Sequence, residues 1–306
     1  MRVGINLPQL GRATTAALLI QAAERAEALG YDSLWVWERL LAPVTPQTPY
    51  PGSADGQLPA ACSYAWDPLT VLGAVASRTR RVALGTSVLD IPYHNPVVLA
   101  RALTTLDHLS SGRVRVGLGV GWSKDEFDAV GSRLDQRAAR ADEFLEVLRA
   151  VWTTDPVEFQ GRFYQIPRSV VGLKPVQKPH PPVFLATYVP VGLERIGKHA
   201  DGWNPVGLPV EAMTTMTARM REAAKAAGRD PRQLEVIVRA NLGLTPEPLG
   251  AGRPIFCGTL EQVKEDVARV RQMGAAELFF DPAVYGAVSP EPEDYLSLME
   301  RLRTLV

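Results

Sequence analysis

The sequence has little cysteine and no excess of charge of either sign. Its 306 residues include only two cysteines, Cys62 and Cys257, which are too few and too far apart for a disulfide framework or for the usual spacing of zinc ligands. The 33 basic residues equal the 33 acidic ones, which argues against binding to nucleic acid or to an acidic membrane. We therefore expect no bound metal, no nucleic-acid partner and a reducing compartment.

The chain also lacks a long apolar run. No run approaches the ~20 residues of a membrane-spanning helix, and residues 1–8 do not have the charged and then apolar profile of a signal peptide. Residues 7–11, after the first predicted strand, lack the glycine fingerprint of a dinucleotide-binding fold. With 46% hydrophobic and 22% charged residues, the composition indicates a globular protein, which we expect to be cytoplasmic and not membrane-bound.

Short apolar runs alternate with helical patterns along the chain. Helices are predicted to begin after Asp67, Asn95 and Thr259, and one is predicted to end at Gly30. Eight runs are predicted to be strands: residues 3–7, 33–37, 82–89, 114–120, 182–186, 201–204, 234–242 and 277–281. This repetition favours a closed parallel barrel over an open doubly wound sheet. We predict an α/β fold, a TIM (β/α)8 barrel that forms one domain over residues 1–306.

Two connections are longer than a bare barrel needs. One insertion, residues 39–66, follows strand 2, and the other, residues 153–181, lies between strands 4 and 5; both are rich in proline. Long loops in compact domains are often lids or binding elements. Active sites of such barrels lie at the C-terminal ends of the strands, so the first insertion is predicted to border the site.

The predicted fourth strand carries three alternating glycines. Gly117, Gly119 and Gly121 share one face, opposite valine and leucine side chains. Glycine weakens a strand, so its repeated use indicates the close approach of a ligand or of another backbone. A flat ring or a phosphate would fit such a face, and tight packing inside the barrel is the alternative.

Three polar residues follow the second and third predicted strands and could carry chemistry. Glu38 could act as an acid or base, and the planar guanidinium of Arg39 could hold an anionic group. His94 titrates near neutrality and could exchange a proton at the barrel mouth. A surface ion pair and a structural histidine are the respective alternatives.

Several motifs resemble the bacterial luciferase-like monooxygenase superfamily along nearly the whole chain. They occur in the expected order: residues 85–88 (GTSV), 105–113 (TLDHLSSGR), 117–127 (GLGVGWSKDEF), 176–182 (VQKPHPP) and 200–205 (ADGWNP). Within the superfamily, the segment from Trp37 to Arg39, the proline-rich insertion and the GVGW motif are most similar to oxidoreductases that use the deazaflavin coenzyme F420.

The resemblance implies a flavin or deazaflavin at the C-terminal mouth, with its phosphate near the loops after strands 4 and 5. It also implies a non-prolyl cis peptide between Ser87 and Val88 that supports one face of the ring. The cofactor-binding residues then predicted are Asn6, Ser87, Val88, Gly119, Val120, Gly121, Trp122, Ala186, Thr187 and Tyr188. The segment after strand 5 departs from the family, because many relatives have Gly-Gly-x-Ser where this chain begins with Ala186.

The activity that the resemblance implies is hydride transfer between F420 and a small organic substrate. Glu38 and His94 would handle protons and Arg39 would orient the substrate. Trp37, Trp66 and Trp203 are predicted to line the substrate pocket. One alternative is an FMN-dependent monooxygenase that receives reduced flavin from a separate reductase; another is a non-catalytic flavin-binding protein. A homodimer is also implied by the resemblance.

Overall fold

Eight parallel strands close into a barrel in the computed structural model, which describes residues 1–53, 55–283 and 292–306. The strands within these residues are, in chain order, β1 (Arg2–Asn6), β2 (Ser33–Val36), β3 (Ala83–Thr86), β4 (Leu89–Asp90), β5 (Val114–Gly119), β6 (Val157–Gln160), β7 (Gln165–Ser169), β8 (Val183–Leu185), β9 (Gly202–Trp203), β10 (Glu235–Asn241), β11 (Gly243–Leu244), β12 (Cys257–Gly258) and β13 (Glu277–Asp281).

The order of the strands confirms the predicted TIM barrel. The ladder runs β3, β2, β1, β13, β10, β9, β8 and β5, and β5 pairs with β3 to close it. All eight predicted strands are present. The third is interrupted at Ser87 and Val88, so that β3 pairs with the start of β5 and β4 with its end, where Leu89 lies opposite Leu118.

The helices surround the barrel, and the four boundaries predicted at Gly30, Asp67, Asn95 and Thr259 are confirmed. They are α1 (Ala16–Ala28), α2 (Pro68–Arg78), α3 (Pro96–Leu109), α4 (Lys124–Ala129), α5 (Arg137–Thr153), α6 (Pro190–His199), α7 (Val210–Ala226), α8 (Leu260–Gln272) and α9 (Pro292–Arg303). Side chains of Asp67, Asn95 and Thr259 accept from free N–H groups of the first turns. Across the described ranges, no helix is long and apolar enough to cross a membrane.

The long connections contain structure that the sequence pattern did not predict. The described residues of the first insertion, 39–53 and 55–66, form an irregular loop that includes a short 3-10 helix at Ala60–Ser63. The connection from α5 to β8 holds an antiparallel hairpin of β6 and β7, and the β11–β12 pair brackets a further loop after β10. These strands have only two to five residues, which is too short for a periodic pattern to identify them.

The inward-facing side chains form three layers along the barrel axis. The N-terminal layer is ionic: the buried carboxylate of Glu277 accepts from Arg2 at 3.1 Å and from Arg115 at 2.5 Å. The middle layer is apolar and consists of Trp35, Phe184, Ile237 and Phe279. The C-terminal layer is polar and contains Asn6, Ser87, Asn204, Arg239 and Asp281. The barrel therefore presents polar groups at its mouth above an apolar floor.

The glycine face of β5 is filled by neighbouring protein. A Cβ atom on Gly117 would lie 1.9 Å from the carbonyl oxygen of Thr86, and one on Gly119 would lie 2.7 Å from Cγ2 of Val88. The sequence predicted that either a ligand or another backbone approaches these glycines. At Gly117 the structure shows the backbone of Thr86. The interpretation that Gly117 leaves bare space for a ring is thus wrong, because the junction between β3 and β4 occupies that space.

Two glycine-to-alanine substitutions distinguish a glycine required by close packing from one that is not. Gly117→Ala should lower the free energy of unfolding by more than about 2 kcal/mol, because its methyl group must displace the backbone of Thr86. Gly73→Ala should raise it by about 0.5–1 kcal/mol, because alanine favours the helix more than glycine does. Beyond the chain neighbours and the backbone of its own helix, no described atom lies within 4 Å of that added methyl group. Urea unfolding followed by circular dichroism measures both, and equal effects would contradict the packing of β5.

Candidate active site

Glu38 and His94 form a hydrogen-bonded pair at the barrel mouth. Nε2 of His94 lies 2.9 Å and 3.1 Å from the two carboxylate oxygens of Glu38. The Glu38 side chain is 5% exposed and that of His94 is 23% exposed. Glu38 is fixed from both sides of the bulge: its N–H donates to the carbonyl of Val88, and its carboxylate accepts from the N–H of Asp90 at 2.8 Å. The histidine is therefore the member of the pair that a ligand can reach.

The pKa of His94 is raised above 6.5. Burial alone lowers the pKa, but the hydrogen bond that His94 donates to Glu38 and the negative charges of Glu38 and Asp90 together raise it more. With the Nε2 proton donated to Glu38, Nδ1 is the nitrogen left to exchange a proton with a ligand. The pair has the geometry and the electrostatics of a general acid and base.

Asp90 connects this pair to the turn after β5. One of its carboxylate oxygens accepts from the N–H of Gly121 at 3.0 Å. Burial and the neighbouring charge of Glu38 raise the pKa of Asp90 to about 7. Near neutral pH this carboxyl group is therefore protonated in a large fraction of molecules, which limits the negative charge at the mouth.

Arg39 is held in an ion pair rather than left free for a ligand. Its Nη1 donates to Glu126 at 2.5 Å, and the two side chains are 6% and 1% exposed. The same carboxylate accepts from the N–H of Leu40 at 2.8 Å and from the hydroxyl of Tyr93 at 3.0 Å. The guanidinium also lies 5.1 Å from the ring centroid of Trp122. Glu126, which sequence reasoning missed, thus anchors the start of the 39–66 insertion.

The peptide bond between Ser87 and Val88 is cis, which confirms the sequence prediction. The hydroxyl of Ser87 donates to Asn204 at 2.6 Å, and its carbonyl accepts from Arg239 at 2.7 Å. The bulge between β3 and β4 is therefore held by strands from the opposite side of the barrel.

Sequence reasoning also missed the pair of Arg239 and Asp281. The two residues form an ion pair at 2.5 Å, and the guanidinium lies 5.0 Å from the ring centroid of Trp37. A signal was present, because Arg239 and Asn241 alternate with Val238 and Ala240 in β10, and charged residues at alternate positions of a barrel strand point inward.

The predicted pocket tryptophans have different positions. Trp37 lies under Arg239 at the mouth, and Trp66 is half-buried against the core. Trp203 is not a pocket residue: it is fully buried between barrel and helices, and its indole N–H donates to the carbonyl of Thr187. The alternation of β9 explains this error, because Gly202 faces inward and its neighbour must face outward.

The turn after β8 offers few groups for a phosphate. The hydroxyl of Thr187 is 3.4 Å from the N–H of Val189, and helix α6 begins at Pro190, which has no N–H. Tyr188 is half exposed, and its hydroxyl donates to Val206 at 3.3 Å. The roles of Ala186, Thr187 and Tyr188 in cofactor binding stay predictions, as do those of Val120 and Gly119.

The mouth contains buried polar atoms that suit a heterocyclic ring. Oδ1 of Asn6, Nε1 of Trp37 and Oδ1 of Asn241 have no hydrogen-bond partner among the described residues. A flavin or deazaflavin ring carries N–H and carbonyl groups along one edge, which can satisfy both acceptors and donors of this kind. The residues present therefore fit such a group.

The sequence profile of the luciferase-like monooxygenase family matches residues 1–248, and the chain belongs to this family. An uncharacterized protein of Mycobacterium tuberculosis is 32% identical over 99% of this chain and 97% of its own length. The F420-dependent glucose-6-phosphate dehydrogenase of Amycolatopsis mediterranei is 33% identical over 73% of this chain and 64% of its own length.

Solved structures share the fold. The monooxygenase RslO1 from Streptomyces bottropensis superposes with a TM-score of 0.80 at 25% identity, over 100% of this chain and 98% of that one. An F420-dependent secondary alcohol dehydrogenase in complex with an F420-acetone adduct gives a TM-score of 0.77 at 18% identity, with 98% of each chain covered. Together, the family and the relatives support an oxidoreductase.

The raised pKa of Asp90 predicts how stability depends on pH. Because the folded-state pKa of about 7 exceeds the ordinary aspartate value of 3.8, folding stability is lost as the pH rises between these two values. Asp90→Asn keeps an acceptor for Gly121 without a charge, so it should raise the melting temperature at pH 8 by at least about 3 °C, and by less at pH 5. Asp135→Asn, at an exposed carboxylate whose pKa is lowered by Arg133, is the matched control and should give no such gain. A gain that does not depend on pH would contradict the charge argument.

Proposed function

We propose that this protein transfers a hydride between coenzyme F420 and a small organic substrate, with His94 and Glu38 handling the proton. The observation that carries the proposal is the buried Glu38–His94 pair beside the Ser87–Val88 bulge. The choice of F420 is supported by the 33% identity to an F420-dependent glucose-6-phosphate dehydrogenase. Deazaflavins favour two-electron chemistry, which suits a site with a proton donor.

The side chains of this site transfer the proton and orient the substrate. When bound, the cofactor supplies or accepts the hydride at a carbon atom of the substrate. In the reducing direction, Nδ1 of His94 donates a proton to the substrate oxygen, so that a carbonyl becomes an alcohol. Glu38 stabilises the imidazolium form before this step. In the oxidising direction the same nitrogen removes the hydroxyl proton.

The insertion is anchored beside this site, where it can exclude water. Glu126 holds Arg39 and the N–H of Leu40, and Gln47 is bonded to Asp125 on the same helix. The start of the insertion is therefore fixed over the turn that follows β5. Excluding water strengthens hydrogen bonds and ionic contacts within the site and protects a transferred hydride.

An FMN-dependent monooxygenase is the second candidate. The similarity to the monooxygenase RslO1 at 25% identity over the whole chain favours it. That activity would require oxygen and a separate reductase to supply reduced flavin. A homodimer, a partner reductase and a cytoplasmic location stay predictions.

A cofactor titration distinguishes the two candidates. The purified protein is titrated with F420 and with FMN at equal ionic strength, with binding followed by cofactor fluorescence. F420 should bind at least about tenfold more tightly, and reduced F420 should give no oxygen consumption above the protein-free rate. Tighter binding of FMN together with oxygen consumption would overturn the proposal in favour of the monooxygenase.

Substitution of the proton-handling pair tests its role. Glu38→Gln removes the negative charge that raises the pKa of His94, so that pKa should fall, as measured by NMR titration of the imidazole. Turnover of any substrate that the wild type accepts should fall by at least about tenfold in Glu38→Gln and in His94→Ala. Cofactor affinity should stay within about threefold of wild type.

Glu158→Gln is the matched control, because this side chain is exposed on strand β6. It should leave the His94 titration and the turnover unchanged. Wild-type turnover in both Glu38→Gln and His94→Ala would remove the pair from the mechanism, even if F420 binds.

A further inference from the structure

The space beside Gly119 is occupied by a carboxyl group. A Cβ atom on Gly119 would lie 2.6 Å from Oδ1 of Asp90 and 2.7 Å from Cγ2 of Val88, so both side chains cover this glycine. Leu89, between them, packs in the core between barrel and helices, and strand alternation therefore turns Val88 and Asp90 towards the barrel interior. At this point of the mouth the exposed group is an acid rather than a glycine.

The two oxygens of the Asp90 carboxyl group differ in their hydrogen bonds. Oδ1 accepts from the N–H of Gly121 at 3.0 Å. Oδ2 has no hydrogen-bond partner within the described ranges, yet, unlike Oδ1 of Asn6, it is not sealed from solvent. The residue is 8% exposed, and its side chain faces the barrel interior. Oδ2 is therefore a polar atom that a ligand in the mouth can reach.

The surroundings of Asp90 favour the neutral acid. Its own N–H donates to the carboxylate of Glu38 at 2.8 Å, which places a second acid beside it. Arg39, the nearby basic group, is already paired with Glu126. Burial and the charge of Glu38 raise the pKa of Asp90 to about 7. A neutral carboxyl group has one O–H donor, and because Oδ1 accepts from Gly121, the proton is best placed on Oδ2.

The charged and titratable groups around Asp90 come from three segments: Glu38 and Arg39 after β2, Tyr93 and His94 after β4, and Glu126 on α4. Arg39 and Glu126 neutralise each other. Tyr93 donates to Glu126, and burial keeps the pKa of its hydroxyl far above neutrality. The pKa of His94 is raised above 6.5. A binding equilibrium that depends on pH near neutrality is therefore assigned by substituting Asp90 and His94 in turn.

We propose that Asp90 is a binding residue of the cofactor site, and that its Oδ2 donates a hydrogen bond to an acceptor atom of the ring that lies against Val88. The inference rests on the proposed function, because it concerns the cofactor site of that oxidoreductase. Val88 is a predicted ring contact, and Asp90 lies beside it over the same glycine. Flavin and deazaflavin rings carry carbonyl oxygens and ring nitrogens that accept hydrogen bonds. A neutral donor satisfies such an acceptor without adding charge next to Glu38.

The test measures how the affinity for 5-deazariboflavin, a ring without a phosphate tail, depends on pH. The full chain is titrated with this probe, and binding is followed by its fluorescence. The affinity should fall at least about fivefold from about pH 6 to about pH 8.5, because ionisation of Asp90 removes the donor. The ¹³C resonance of the Asp90 carboxyl should titrate at about pH 7 in the free protein, and at higher pH with the probe bound, because the probe binds the protonated form.

Three variants separate the donor from the charge. Asp90→Asn keeps an acceptor for Gly121 and an N–H donor at every pH, so its affinity should stay within about twofold of the wild-type value at about pH 6 over the whole range. Asp90→Ala has neither group and should bind at least about fivefold more weakly at about pH 6; if it does not fold, Asp90→Asn decides. Asp135→Asn, the matched control at an exposed carboxylate, should keep the wild-type pH dependence.

His94→Gln removes the other group with a pKa near neutrality and should also keep the pH dependence of the affinity. The inference is overturned if the dependence persists in Asp90→Asn, if it is lost in His94→Gln, or if the affinity rises with pH. Absence of binding at about 1 mM probe would overturn it as well. None of these results decides the proposed function, which depends on F420 affinity and turnover. Conversely, if the probe binds as expected and F420 gives no turnover, the hydride-transfer assignment alone falls.

Discussion

The close approach of β5 to the end of β3 is the constraint on which the mouth depends. The N–H of Gly117 donates to the hydroxyl of Thr86 at 2.9 Å, and that hydroxyl also lies 2.9 Å from the Gly117 carbonyl. Only a residue without a side chain allows this distance. Ser87 and Val88 follow this contact directly, and the Val88 carbonyl accepts from the N–H of Glu38. The position of Glu38, and hence of His94, follows from the packing of two backbones.

Carboxyl groups at the mouth differ in how their charge is balanced. Glu126 and Asp281 each have an arginine, whereas Asp90 has only a backbone N–H and is close to Glu38. Buried ion pairs contribute little net stability but hold their members in one geometry. The two paired acids therefore have structural roles, whereas Glu38 and Asp90 contact His94 and the turn after β5. Because each ion pair is neutral overall, His94 can stay accessible at the mouth without an excess of negative charge around it.

The sequence predicted the barrel, its caps and the cis peptide at Ser87, because each depends on local pattern or on a motif that resembles a known family. It failed where the outcome depends on contacts across the barrel. The ion pair of Arg39 could not be predicted, because its partner Glu126 is 87 positions away in the chain. Trp203 was placed in the pocket although strand alternation, read residue by residue, would have excluded it. Arg239 and Asp281 lie on separate strands, and nothing in either strand alone indicates that they form a pair.

The ionic layer at the N-terminal end of the barrel affects the direction from which a ligand can reach the interior. Glu277, Arg2 and Arg115 close the axis below the stacked rings of Trp35 and Phe279, whose centroids are 4.6 Å apart. The side chains of Glu277, Trp35 and Phe279 are fully buried, so they fill the axis and leave the polar layer facing the C-terminal mouth. A ligand that rests on the polar layer is therefore approached from that end of the barrel.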